Sequence, residues 1–332
     1  MNKRQLQSLL KRILSQPTAP FHEYHVRDAI LKELRAIPDV SWTIDAFGNV
    51  IARYRRGNKR ARYAFGAHMD HPAFVRNEKG EWQFLGGVPE STVTRNAARK
   101  IEHGEFAVWD VTDFELDGDR VVARACDDLI GCVAILATFK ELAKREVEAD
   151  VFGVFTRAEE VGFLGAVELV KRWPLPKSVR FVSLETSTPR GGVELGKGPV
   201  LRVGDRLSVF SHEITAALEV VAGEHKIDVQ RALLDGGACE ATAMQAFGVE
   251  SGGISLALEN YHNCAGDDEI GPEAVSFADV HGLVKLLTEL CAAPAGGLSP
   301  YPRVRKRLAE RSRAMRGFAE RSAAFFEDAS DA

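Results

Sequence analysis

Much that would narrow a reading quickly is missing from this chain. No apolar run approaches the about 20 residues that a helix needs to cross a bilayer. The opening MNKRQLQSLLKRILSQ interleaves apolar and charged residues at helical spacing, where a secretory leader needs an unbroken apolar core. The five cysteines (Cys126, Cys132, Cys239, Cys264 and Cys291) are odd in number, scattered through apolar contexts and without a CxxC pair. That argues against a disulfide framework, a structural zinc knot or a dithiol redox centre, and predicts buried thiols in a reducing cytoplasm. No excess of basic charge exists either. The formal charge is -4 and the pI about 6.2, so neither nucleic acid nor an anionic membrane is the expected partner. Repeats and low-complexity linkers are also lacking, and a peptide or small molecule is the natural substrate class.

What is present is a globular chain of 332 residues, 45% hydrophobic and 27% charged, with room for a full core and one added small domain. Helical periodicity covers 3–16 and 22–36. WTIDAFGNVIARY (42–54) reads as two strands around a turn at Phe47-Gly48-Asn49, and RYAFGAHMDH (62–71) as a third strand ending on His68 and Asp70. From about 72 to 123 the texture changes to short alternating segments, EWQFLGG, GEFAVWDV and DRVVARA, which predict a small β-rich insert. Helix and strand patterns then alternate through LIGCVAILATFKELAKR (129–145), VFGVFT, VGFLGAVELVKRW and SVRFVSLET, followed by a strand at 251–258 and a helix over 272–294. The expected fold class is α/β, a mixed central sheet flanked by helices. Residues 1–71 and 124–297 form the body, and 72–123 an insert suited to a lid or to oligomerisation. Residues 298–332 form a C-terminal extension. In that extension Leu308, Met315, Phe318, Ser322 and Phe325 share a face and arginines cover the others, so an amphipathic helix docking on this subunit or a neighbour is expected.

In open α/β sheets the ligand site lies beyond the carboxyl ends of the strands. The residues at those ends here are nearly all metal-ligating types: His68 and Asp70, Asp127 and Asp128, Glu159 and Glu160, Glu185, and His262. Singly, each has an ordinary explanation. A lone histidine is usually a hydrogen-bonded core residue, Asp127-Asp128 can cap the next helix, and adjacent glutamates are usually solvated. Together they would repel one another around one crevice unless cations were bound. Two imidazoles with several carboxylates and no thiolate suit Zn, Co or Mn. If one aspartate bridges, two ions sit roughly 3.5–4 Å apart, an arrangement used for hydrolysis.

The segments GAHMDH, ACDDLIGC, FTRAEEVGFLGA, LETS and NYHNC, in this order, resemble the dinuclear zinc aminopeptidases of the glutamyl and deblocking family, whose best-known members assemble as tetrahedral particles. DAFGNVIA and GGACEATA extend the likeness, and the Glu-Glu-Val-Gly-x-x-Gly-Ala run is its most specific piece. The resemblance implies that His68, Asp127 and Glu185 hold one ion, and Asp127, Glu160 and His262 the other, with Asp127 bridging. Two divalent ions are implied, zinc first and cobalt or manganese as alternatives. Asp70 would fix the tautomer of His68, Asp128 would stand behind the ligands, and Glu159 would take the proton of the metal-bridging water and return it to the leaving amine. A homo-oligomer acting on short peptides follows from the same likeness.

Departures fall at His71, where the family often has Glu, at Glu185 and Glu240, where Asp is common, and at Cys239, where Thr is. They bear on the substrate pocket more than on the metal centre. The insert is also shorter than usual. Because one ligand set can serve either peptide end, an N-acyl-amino-acid hydrolase or carboxypeptidase-like enzyme is the rival expectation. A glycosidase would need two free carboxylates flanking a sugar, and a scaffold without turnover would lack a ligand or the base.

Overall fold

A computed structural model describes residues 1–294, 298–299, 301–323 and 325–326. An eight-stranded sheet forms the centre, in the order Val40–Ile44, Val50–Arg56, Ala149–Thr156, Tyr63–His68, Arg180–Ser187, Ser251–Ala257, Val200–Gly204, Gln230–Leu233. The four strands from Ala149–Thr156 to Ser251–Ala257 run parallel. Val50–Arg56 and Val200–Gly204 flank them antiparallel, so the sheet is mixed. Parallel strands place their carboxyl ends on one edge, which is why chemistry dispersed over 200 residues of sequence can meet there.

Helices cover both faces. On one, Leu129–Lys144 is apolar around nearly its whole circumference and packs with Lys3–Leu14, Tyr24–Arg35 and Phe277–Ala292 in the largest core. On the other, Leu164–Lys171 and Glu240–Ala246 bury Ala166, Leu169, Ala243 and Met244 against Phe152, Val154 and Phe181. Two strand glycines permit this closeness. A Cβ on Gly66 would lie 2.0 Å from Phe181 Cζ, and one on Gly153 2.4 Å from Ile135 Cγ2.

Two smaller antiparallel sheets complete the architecture. One has the order Trp82–Leu85, Ala73–Arg76, Phe106–Trp109, Lys100–His103 and carries the helix Glu90–Asn96. The other joins Phe114–Asp117 and Arg120–Ala123 to Glu273–Ser276. The helix expected from 272 therefore begins only at Phe277. Ser276 caps it by accepting the Asp279 N–H, and the four residues before it pair as a strand.

The extension forms the helix Tyr301–Ala323, in which no residue is buried. Its contacts with the body are at its start, Arg303 with Glu224 (3.5 Å) and the Tyr301 ring 5.5 Å from that of His212. Leu308, Met315 and Phe318 stay exposed, so the expected docking on this subunit is not made along that face. Residues 300, 324 and 327–332 of the expected extension lie outside the described residues.

Two alanine substitutions should shift stability in opposite directions. Gly66→Ala forces the Phe181 ring out of place and is expected to cost about 1–3 kcal/mol. Gly223→Ala, inside the helix His212–His225 with nothing within 4 Å of the new methyl, should gain up to about 1 kcal/mol. Urea denaturation of both variants checks the signs.

Candidate metal centre

The carboxyl edge of the parallel strands gathers the expected residues. His68 is the last residue of its strand, Glu185 lies near the end of the next, and Glu159 and Glu160 follow Thr156 in the turn after a third. Asp127 precedes the helix Leu129–Lys144, and His262 stands in a short turn after Ser251–Ala257. His68 Nε2 is 3.5 Å from Asp127 Oδ1 and 4.0 Å from Glu185 Oε2. His262 Nε2 is 3.6 Å from Asp127 Oδ2 and 3.2 Å from Glu160 Oε1. Asp127 thus presents one oxygen to each imidazole.

Ligand-type atoms of His68, Asp127 and Glu160 lie within 4.8 Å of one another, as do those of His68, Glu159 and Glu185. Asp127 Oδ1 and Glu160 Oε1 are buried without a hydrogen-bond partner. Orphaned carboxylate oxygens aimed at neighbouring ring nitrogens are what a divalent cation would satisfy, and the mixed imidazole and carboxylate set fits a borderline ion.

Electrostatics describe the same crowding. Burial pushes the Glu159 carboxyl well above its usual range, with Glu185, Glu160 and Asp70 adding to the rise. Glu185 is pushed up to about 8, chiefly by burial and then by Asp127. Burial would also raise Asp127, yet the facing imidazoles of His262 and His68 hold it below the usual range. Both histidines are raised, because neighbouring carboxylates outweigh the desolvation that opposes their protonation.

Holding these groups takes residues that are not ligand candidates. Asp70 accepts the N–H groups of Glu159 (3.0 Å) and Glu160 (3.1 Å) through its two carboxylate oxygens. Its backbone carbonyl, at 3.0 Å, is closer to His68 Nδ1 than its carboxylate at 3.6 Å. The tautomer-fixing contact expected of the Asp70 side chain is therefore made mainly by its backbone, while the side chain fixes the Glu159-Glu160 turn. Asp128 Oδ1 accepts the Gly131 N–H (3.1 Å) and caps the helix.

Sequence reasoning missed three of these supports. Glu23, almost fully buried, accepts from Ala158 N–H (3.0 Å) and Arg157 Nε (2.8 Å) and so anchors the same turn. Glu273 Oε2 accepts the N–H groups of Cys126 (2.8 Å) and Asp127 (3.0 Å), while Oε1 accepts that of His262 (2.8 Å). His71 spans the carbonyl of Asp127 (2.7 Å from Nδ1) and Asn263 Oδ1 (3.0 Å from Nε2). A wholly polar side chain inside the apolar run EAVS was the available signal for Glu273, and the helical reading of that stretch hid it.

The centre opens into a cavity of about 300 Å³. Neither His71 nor Glu240 lines it, so those departures from the family pattern lie behind the ligands and do not shape the pocket. Arg202 does line it. The residue is only 4% exposed, Nε has no partner, and Nη2 reaches only the Leu234 carbonyl at 3.5 Å. The side chain lies across Gly253, where a Cβ would come 2.9 Å from Phe210 and 3.4 Å from Arg202 Cδ. Among the described residues this buried cation forms no ion pair, an arrangement that leaves it for an anionic group entering the cavity.

Glu240 supplies a pH test. It is fully buried with neither oxygen hydrogen-bonded, since the nearby Thr156 hydroxyl donates to the Ala67 carbonyl (3.3 Å). Burial pushes its pKa from 4.5 to about 7, with Thr156 and His68 lowering it only in part. A raised carboxyl pKa means that the native state holds more protons than the unfolded one between those values, so stability falls as pH rises through that window. In chelator-treated protein, Glu240→Gln should unfold at a higher temperature than wild type at pH 8 and within a degree or so of it at pH 5. Thermal scans at the two pH values decide.

Comparison with known proteins agrees with the geometry. The M42 glutamyl aminopeptidase family matches residues 88–269, more than half of the chain. A protein of Acetivibrio thermocellus carrying a provisional aminopeptidase name is 26% identical over 340 residues, covering 87% of this chain and 99% of that one. Among solved structures, the TET1 peptidase of Pyrococcus horikoshii superposes with a TM-score of 0.71 at 23% identity, covering 86% of this chain and 99% of that chain. An aminopeptidase of Desulfurococcus kamchatkensis gives 0.72 at 20% identity, covering 88% and 95%. At these identities the structural likeness is one of fold, and the family assignment rests on the sequence match. The chain belongs to the M42 glutamyl aminopeptidase family and is a peptidase.

Proposed function

We propose that this protein is a co-catalytic dinuclear metallo-aminopeptidase that removes N-terminal residues from short peptides. The observation that carries the reading is Asp127, buried between two imidazoles with one oxygen facing each. His68 and Glu185 complete one ion's ligands, Glu160 and His262 the other's. Two divalent ions, zinc in the first instance, would polarise the scissile carbonyl and stabilise charge on its oxygen. Glu159 faces the same cavity beside the ligands. As a carboxylate it accepts the proton of the attacking water, and as an acid it delivers that proton to the departing amine. Asp70 supports this by fixing the backbone on which Glu159 and Glu160 diverge.

Arg202 refines the substrate. A buried guanidinium on the cavity wall favours an N-terminal residue with a carboxylate side chain, in keeping with the glutamyl activity for which the family is named. The same guanidinium would also suit the terminal carboxylate of a blocked amino acid, which is the observation favouring the N-acyl hydrolase or carboxypeptidase-like reading. Residues 1–71 and 124–297 are the catalytic body in this reading, and 72–123 the insert. The tetrahedral and octahedral assemblies of the TET1 peptidase support a homo-oligomer here. Free cysteines support a cytoplasmic setting; no helix among the described residues is long and apolar enough to cross a membrane.

Hydrolysis of glutamyl-, aspartyl-, leucyl- and lysyl-p-nitroanilides and their N-acetyl counterparts tests this directly. Glu159→Gln should keep both ions while kcat falls about 10²–10⁴-fold. Metal content is measured on the same samples. Chelation should abolish activity and zinc restore it. Arg202→Met should lower kcat/KM for glutamyl substrates at least about tenfold, the scale of one lost charged hydrogen bond, and change leucyl turnover little. Cleavage of the N-acetyl compounds alone would sink the aminopeptidase reading in favour of its rival.

A further inference from the structure

The two histidines of the centre are seated very differently. His68 ends a central strand, and its Nδ1 is met by the carbonyl of Asp70, two residues on. His262 lies in a segment that no strand or regular helix holds. Asn260, His262, Asn263, Asp267 and Asp268 have φ of 54°, 55°, 63°, 50° and 58°, a left-handed region that Asn, Asp and His enter more readily than other side-chain-bearing residues, so packing from outside must select the one arrangement seen.

Glu273, His71 and the Arg124 carbonyl hold the backbone of His262 and the side chain of Asn263, while the His262 ring and residues 267–270 are held from residues 72–123. The Gly87 carbonyl lies 3.0 Å from His262 Nδ1. On the helix Glu90–Asn96, the hydroxyls of Ser91 (2.8 Å) and Thr92 (3.1 Å) donate to Asp268 Oδ1, and Asn96 Nδ2 donates to the Asp268 carbonyl (2.7 Å). Thr92 and Asn96 are buried in doing so. Arg95 pairs with Glu269 (2.6 Å). Ile270, which ends the segment, is buried among Phe74, Trp109 and Ala107 in the core of the small four-stranded sheet.

We propose that Gly87 and the helix Glu90–Asn96 form a clasp that positions His262, so that the segment 72–123 sets how tightly the ion on the His262 side is held. The inference rests on the two-ion reading above. A ligating histidine whose second ring nitrogen donates to a carbonyl keeps one tautomer and one orientation, and losing such a partner typically weakens metal binding about 10–100-fold. The seat of His68 uses none of these contacts. The clasp therefore acts on one of the two ions, and Thr92, Asn96 and Asp268 are positioning residues.

The test compares wild type with the double variant Thr92→Val, Asn96→Ala, which leaves every ligand, Glu159 and Gly87 in place. Metal-free proteins are titrated with Zn²⁺ by calorimetry against a competing chelator, and backbone hydrogen exchange is followed over residues 259–271. The expected result is a second binding step weakened about tenfold or more with the first unchanged, faster exchange confined to that segment, and hydrolysis restored at raised zinc. Unchanged binding steps, or both steps weakened alike with a general fall in Tm, would overturn the clasp. If the double variant fails to fold, Ser91→Ala with Arg95→Gln, both exposed positions, carries the same measurements. Uptake of fewer than two ions by wild type defeats the two-ion reading itself. The exchange data then decide the clasp alone: faster exchange over 259–271 supports it, and unchanged exchange overturns it.

Discussion

Negative charge buried at one edge of a sheet is the constraint from which the rest of this structure follows. Asp70, Asp127, Asp128, Glu159, Glu185, Glu240 and Glu273 are all buried. Desolvating that many carboxylates near one another is unfavourable unless protons, amide donors or cations answer them. The fold supplies each answer in a different place. Glu273 takes three backbone amides, Asp70 two and Asp128 one. Asp127 and Glu160 instead turn oxygens that no donor reaches toward His68 and His262, while Glu240 and one oxygen of Asp128 are left without a donor away from the imidazoles. Acids satisfied by amides hold loops in place, whereas those facing the imidazoles make up the ligand set proposed for the ions. The protein sorts one residue type into two roles by where its loops leave free N–H groups.

That sorting explains why the carboxyl edge holds its shape. Parallel strands bring their ends together to within a few ångströms, which is too coarse for coordination or proton transfer. Loop backbones must be fixed as well. Glu23 and Asp70 grip the Arg157–Glu160 turn from two sides, and Glu273 ties the backbone of Asp127 to that of His262 across 135 residues of sequence. A buried carboxylate accepting two or three amides is stiff because moving any partner exposes a desolvated charge. The ligands thus inherit their precision from acids that never face the cavity.

The sequence disclosed groups that announce themselves at strand ends and concealed those that act through the backbone. His68, Asp127, Glu159, Glu160, Glu185 and His262 stood just beyond apolar runs, where a parallel sheet predicts its site, and the structure brings all six to one cavity. The central sheet was legible because strands such as VFGVF are apolar on both faces, as strands covered by two helix layers must be. Glu273 was not legible, since EAVS before FADVHGL scans as the first turn of a helix, and only pairing with Arg120–Ala123 makes it a strand. Pairing at that separation is a tertiary fact, and the one local signal, a glutamate opening EAVS, does not distinguish strand from helix. Arg202 was hidden for a related reason: its importance lies in the partner it lacks, and a missing ion pair cannot be seen before the fold is built.

The two departures that looked most telling in sequence prove to be matters of support. His71 sits behind Asp127 and links it to Asn263, next to His262. A carboxylate there would face the Asp127 carbonyl and the Asn263 amide oxygen, both acceptors, so a ring nitrogen that can donate fits where an acid would not. Glu240 lies under the sheet edge near Thr156, where a longer acid costs desolvation without reaching a donor. Neither residue lines the cavity. Arg202 and its neighbours do line it, with the arginine lying beside Gly253. A Cβ at position 253 would come 2.9 Å from the Phe210 ring and 3.4 Å from Arg202 Cδ, so the absence of a side chain on this central strand leaves room first for the ring and then for the arginine laid beside it.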